Sequence, residues 1–235
     1  LLMENNLNFQ TFLFISSKKL IISVYSETNK KVFEEEFIVT QNDNNLIFDS
    51  LDLFLEKNIL KIEKKLEKFI KKVYIVLDSY HFFSIEISLK KNSHGNFFNQ
   101  KNLNNLLYEA KDYCKKTISD RKIIHMIIEN YLIDNKIYSF FPKDMTGNNF
   151  SLEVKFICLS NNFIKNLEKT LKKYHISLGQ VVSANYTYRF LENDDEDIFI
   201  LTKKIINGHN PNEVMLVEKS QKNQGFFEKF FNFFN

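Results

Sequence analysis

The residues able to do chemistry in this 235-residue chain are few and widely spaced. Its five histidines, His81, His94, His125, His175 and His209, fall at no spacing that would set two on one metal ion. Cys114 and Cys158 form no disulfide framework, and no second pair completes a zinc site. His125 and Glu129 share a strand face, which alone does not make a catalytic pair, and His125 reads as structural. No P-loop, GxGxxG, nucleophile elbow or HExxH occurs. The Tyr and Phe residues follow core periodicities and not a base-stacking platform with flanking Arg. The expectation is a protein that is not an enzyme, with no catalytic residues, no metal, no cofactor and no nucleic-acid partner.

One segment carries a sharp signal of another kind. At 100° per residue, Phe226, Phe227, Phe230, Phe231, Phe233 and Phe234 fall within an arc of roughly 160°, with Glu228, Lys229, Asn232 and Asn235 opposite. The polar stretch 218–224 before it reads as a tether. Six Phe in water would be an apolar patch needing a partner. A membrane interface fits, with the Phe face in the bilayer boundary and Lys229 toward the headgroups. Each buried Phe would contribute about 1.5–3 kcal/mol, less the entropy of ordering the helix. Residues 225–235 are therefore expected to be an amphipathic membrane-binding helix, the other resting places for its Phe face being its own domain or a groove of another protein.

Composition bounds the rest. The chain is 44% hydrophobic and 26% charged, ordinary for a globular protein able to bury a core. It holds 25 Phe but no Trp, 5 Gly and 2 Pro, and Lys greatly outnumbers Arg. This Lys/Asn/Ile/Phe excess is the imprint of an AT-rich genome more than of function. No apolar run reaches the 18 or more residues of a membrane span, and no secretory signal is apparent at residues 1–14. Met3, preceded by Leu1 and Leu2, is a candidate start. The cysteine usage fits a reducing cytoplasm, and a net charge of +3 does not by itself imply nucleic acid.

The elements that must position these residues follow from periodicity. Strands are expected at 12–16, 19–25 and 31–39, then an amphipathic helix over 49–71 capped by Asp49, then a buried strand at 73–77. Glu56, Glu63 and Glu67 between the helix lysines mark a solvated face and not a nucleic-acid surface. A strand–helix–strand–strand block follows over 82–160. Its helix runs from 101 to 117 with Asn99 as cap. Its second strand turns Ile124, Met126, Ile128 and Leu132 to one face. Its last strand alternates cleanly, Phe150 to Cys158. A helix over 163–174, a strand at 176–182 and a helix over 184–191 close the folded part. An acidic cluster, 192–197, then opens a linker in which 198–206 and 213–217 are apolar enough for one more helix and strand.

Laid out this way, residues 11–191 resemble FtsA, the bacterial actin-like protein that anchors the division ring to the inner membrane. The resemblance is most specific over Lys122–Cys158. There Tyr131, Ile133 and Asp134 match a strand end, and Pro142, Met145 and Gly147 match the turn that follows. Val73–His81 resembles the strand entering the family's inserted subdomain 1C, an SHS2-type module, and Leu103–Lys111 resembles that module's helix. The resemblance implies an α+β protein: a partial actin-like (ribonuclease H-like) subdomain 1A at 10–81 and 161–192, an SHS2-type subdomain 1C at 82–160, a linker at 193–224 and the terminal helix at 225–235.

The departures shape the functional expectation. The family's acidic-x-Gly-Thr phosphate loop is matched by Phe14, Ser16, Ser17 and Lys19, without the acid or the glycine. Its second phosphate loop and adenosine glycines are absent, as is the half that captures the FtsZ tail. The resemblance thus implies a nucleotide-free cell-division adaptor on the cytoplasmic side of the membrane at the division site. It would bind divisome proteins, and itself, through subdomain 1C and lipids through the terminal helix, without direct FtsZ binding. The alternative is a PilM-like actin-related component of a pilus or secretion platform.

Overall fold

The computed structural model describes residues 8–39, 46–79, 81–143, 145–189 and 196–214. Three β-rich segments open the chain as an antiparallel meander: β1 (Phe9–Ser16), β2 (Lys19–Ser26) and β3 (Lys31–Ile38). The helix α1 (Leu46–Leu66) then crosses over, so that β4 (Lys72–Asp78) lies parallel to β1. Antiparallel neighbours need only tight turns, whereas a parallel return needs a crossover of this length.

The second crossover from β4 carries an insertion. It comprises β5 (Phe83–Asn92), α2 (Gln100–Thr117), β6 (Arg121–Ile133), β7 (Lys136–Tyr138) and β8 (Asn149–Ser160). Then α3 (Asn161–Lys172) returns the chain to β9 (Ser177–Ser183), parallel to β4. Two short helices follow, α4 (Ala184–Arg189) and α5 (Ile198–Ile206).

The first sheet has the order β3-β2-β1-β4-β9, with β2 alone antiparallel to its neighbours on both sides. This order and these directions are those of an actin-like subdomain, and the chain has a partial actin-like fold. Helices α1 and α3 cover one face with a core that includes Leu13, Ile22, Leu55, Ile75 and Leu167. Helix α5 lies on the other, where Phe12, Phe14, Tyr25, Val76 and Phe199 pack together. The inserted sheet, β5-β8-β6-β7, packs α2 on one side through Leu103, Leu106, Ala110 and Cys114.

Three local expectations change. Helix α1 opens at Leu46, so Asp49 is not its cap but an acid in its first turn, favourable at the positive end of the helix. The helix stops at Leu66 and does not run to 71. Glu67 turns left-handed (φ 54°), and the Lys68 N–H donates to the Glu63 carbonyl. In β6 the ladder to β8 shifts at Ile123/His125 and again at Ile128/Asn130. Such bulges re-aim side chains. Ile124 therefore joins the actin-like core, and Tyr131 and Ile133 take the inner positions expected for Leu132.

Gly147 marks where the inserted module is tightest. A Cβ there would collide with Ile133 and sit 3.1 Å from the Asp134 carboxylate. That carboxylate accepts the N–H groups of Asn148 and Asn149, which hold its pKa below the usual range.

Candidate partner-binding cleft

Whether the first sheet can face a nucleotide depends on the geometry of the expected phosphate turn. Phe14 is 4% exposed and belongs to the apolar cluster under α5. Ser16, also buried, turns its hydroxyl onto its own loop. Its Oγ accepts the N–H of Lys19 at 3.0 Å and of Lys18 at 3.3 Å, and donates to the Lys19 carbonyl. Backbone N–H groups that a phosphate would need are thus satisfied by the protein itself. Ser17 is exposed, and Lys19 Nζ lies 3.8 Å from Glu36. The expected membrane-binding residues Phe226, Phe227, Lys229, Phe230, Phe231, Phe233 and Phe234 lie outside the described residues, as do 190–195 of the acidic linker.

His125 has a different partner from Glu129, which instead lies 3.4 Å from Lys155. The His125 ring, 3% exposed, sits where the two sheets meet. Its Nε2 accepts the Ser183 N–H from β9 at 3.0 Å, so its proton is on Nδ1, which donates to Glu213 Oε1 at 2.7 Å. Glu213 Oε2 accepts the Tyr186 hydroxyl at 2.8 Å, and Asn210 donates to that hydroxyl at 2.7 Å. Burial first, and the Glu213 charge second, raise the Tyr186 pKa, so it stays a donor. Residues 212–214 run along β6, with Ile128 N–H donating to Asn212 and Val214 N–H to Met126. Both imidazole nitrogens are occupied inside the protein, which suits a pin between elements and leaves neither open to a substrate.

The other titratable groups follow suit. Cys158 is buried beside Cys114, and burial pushes its thiol up to about 12. Burial and the nearby Arg121 lower the His81 pKa. Among the described residues, no three His, Cys, Asp or Glu side chains are grouped to hold a metal ion.

Beside the pin lies a cleft of about 730 Å³ between β9, β6, α2 and α3. One wall is β9, the edge of its sheet, contributing Leu178 to Val182. Gly179 lets that wall close: a Cβ there would meet Tyr74 at 2.9 Å and the Val73 carbonyl at 3.0 Å. The rest of the lining joins apolar residues such as Ile124, Ile164 and Ile206 to five cations, Lys72, Lys111, Lys115, Arg121 and Lys122. Glu168 and Glu213 are the acids, and Glu213 is turned inward by its two donors. Lys111 is half-buried, and burial together with the Lys115 charge lowers its pKa. A desolvated ammonium next to a like charge is a site short of an anion. Composition could not have located this cleft, because its cations, four of them between 111 and 122, face it only once β9 and Lys72 are brought beside α2 and β6.

No protein-family model and no curated protein matches the chain. Several solved structures resemble it. One is the cytoplasmic domain of EpsL, an inner membrane component of the type II secretion system of Vibrio cholerae (12% identity, TM-score 0.40, covering 77% of this chain and 59% of that one). Another is a PilM–PilN type IV pilus biogenesis complex (9% identity, TM-score 0.44, 77% and 49%). A third is a Bacteroides thetaiotaomicron protein of unknown function with an actin-like ATPase fold (17% identity, TM-score 0.31, 77% and 55%). The chain spans between about half and three-fifths of their lengths. The actin-like assignment rests on strand order and direction. Nothing in these likenesses points to FtsA in particular.

Proposed function

We propose that this protein is a non-catalytic, actin-like adaptor that receives an extended acidic segment of a partner protein in the cleft between its two sheets. The observation that carries the reading is the pairing of an edge strand with a basic lining. An edge strand offers backbone groups to an added strand, which gives affinity without sequence demands. Lysines and an arginine around it select carboxylate-bearing side chains. The turn closed by Ser16 and the aromatic cluster beneath α5 support a role without nucleotide.

The assembly we favour is a pilus or secretion platform, with cell division as the second reading. The cleft suits either. The secretion and pilus proteins among the similar structures name the process to test first. Residues 225–235 would tether the adaptor to the cytoplasmic face of the membrane through their Phe face.

The test is binding of a labelled decapeptide of alternating Val and Glu to the full chain. Binding that weakens with salt, and falls about tenfold or more in a Lys111→Glu/Lys115→Glu variant, supports the reading. Equal binding of a Val/Lys peptide, or no binding of either, overturns it.

A further inference from the structure

The strongest surface feature outside the cleft lies at the end of the actin-like sheet where β4 and β9 begin. Phe69 is 81% exposed, the most exposed large apolar residue among those described. Its position is built. Glu67 closes α1 in the left-handed region, the Glu63 carboxylate accepts the Ile70 N–H at 3.0 Å, and Ile70 is 6% exposed in the core. With both flanks fixed, the turn holds the Phe69 ring outward. The neighbouring turn, which ends α3, lies beside it: the Ser177 N–H and hydroxyl both donate to the Lys71 carbonyl. Lys68, Lys71, Lys172 and His175 are exposed on these two turns. Glu67 is the exposed acid of the same turn.

We infer that this end of the molecule is a second contact for an anionic bilayer. A single aromatic ring on a fixed, protruding turn, with long flexible cations on that turn and the one beside it, matches a surface that is planar, deformable and negatively charged. The ring enters the acyl boundary while the lysines remain at the headgroups. A single protruding ring offers a protein partner no recess to fill, whereas protein interfaces centre on well-packed, desolvated pockets. One weak membrane element gives marginal, reversible binding, and a second converts it into stable attachment. The inference goes beyond the adaptor reading and does not depend on the cleft.

The chain contains no Trp, so Phe69→Trp in the full chain is a unique fluorescent reporter at the proposed point of insertion. Expected are a blue shift and quenching by brominated lipid on vesicles of equal phosphatidylglycerol and phosphatidylcholine, with little of either on phosphatidylcholine alone. Phe69→Ser should lower partitioning to the anionic vesicles about tenfold. Lys68→Glu/Lys71→Glu should remove the preference for anionic lipid. If the chain floats with vesicles while the reporter is unquenched, the inference is overturned and the terminal segment alone makes contact. An equal shift with polyglutamate or duplex DNA in the absence of vesicles overturns it in favour of an acidic macromolecule.

Discussion

The imidazole of His125 and the carboxylate of Glu213, 88 residues apart in sequence, lie 2.7 Å from each other at the junction of the two sheets. His125 belongs to the inserted module, its other nitrogen is held by Ser183 of the actin-like sheet, and Glu213 belongs to the segment following α5. One ring therefore ties three parts of the chain together. A fully satisfied buried network of this kind fixes a unique arrangement. It also forms the inner end of the basic cleft, so cleft shape and sheet packing depend on the same bonds.

Glu213→Ala should therefore be costly. It leaves the His125 Nδ1–H and the Tyr186 hydroxyl short of a buried acceptor, a loss of about 2–4 kcal/mol in urea unfolding. Tyr186→Phe removes one donor to Glu213 and should cost less, about 1 kcal/mol. Equal effects would mean that the carboxylate is not the centre of the network.

The sequence makes parts of this legible and hides others for physical reasons. The alternation of Phe150 to Cys158, the Asn99 cap and the α5 helix are local patterns, and each appears in the structure. So does the strand–helix–strand–strand order of the insertion. The His125 network is not local. The bulge at Ile128/Asn130 breaks the alternation between His125 and Glu129, and the acceptor of the His125 ring arrives from beyond α5. Periodicity cannot anticipate a bulge, so Glu129 stood as the natural neighbour. Phe14 illustrates the opposite case. The loss of the acidic group is visible in the sequence, but the capture of the turn's N–H groups by Ser16 depends on how the turn folds.

Restoring the two missing phosphate-loop residues should not restore nucleotide binding. Phe14→Asp/Ser16→Gly places a carboxylate among Phe12, Tyr25 and Phe199, and calorimetry with Mg-ATP should register no binding. The double variant should also lose about 3–5 kcal/mol of stability, chiefly from the aromatic cluster. Measurable Mg-ATP affinity would show that α5 does not close this face.

Gly179→Ala tests the wall of the cleft. The added methyl group meets the Tyr74 ring and the Val73 carbonyl at about van der Waals overlap, and the carbonyl cannot swing aside. Overpacking here should cost about 1–3 kcal/mol. Tyr74→Ala in the same chain should relieve only part of it, since the backbone contact remains. Complete relief would place the strain in the side chain alone.

Asp197 gives the clearest pH dependence. Burial alone would raise its pKa, but the hydroxyl of Tyr25 at 2.6 Å, the Phe199 N–H at 2.9 Å and Lys31 at 3.0 Å outweigh burial and hold it below the usual range. A carboxylate whose folded pKa is depressed contributes stability that is present above its unfolded pKa, near 3.9, and is lost as pH falls through the folded value. Asp197→Asn keeps a competent cap for α5 while deleting the charge. The natural chain should therefore exceed the variant by about 1–2 kcal/mol at pH 7. Urea unfolding at pH 7, 5 and 3 should find the gap unchanged between the first two and narrowing at the third. A gap that stays constant to pH 3 would mean that α5 is held by its apolar face, with Phe199 packed on Phe12, and owes nothing to the charge.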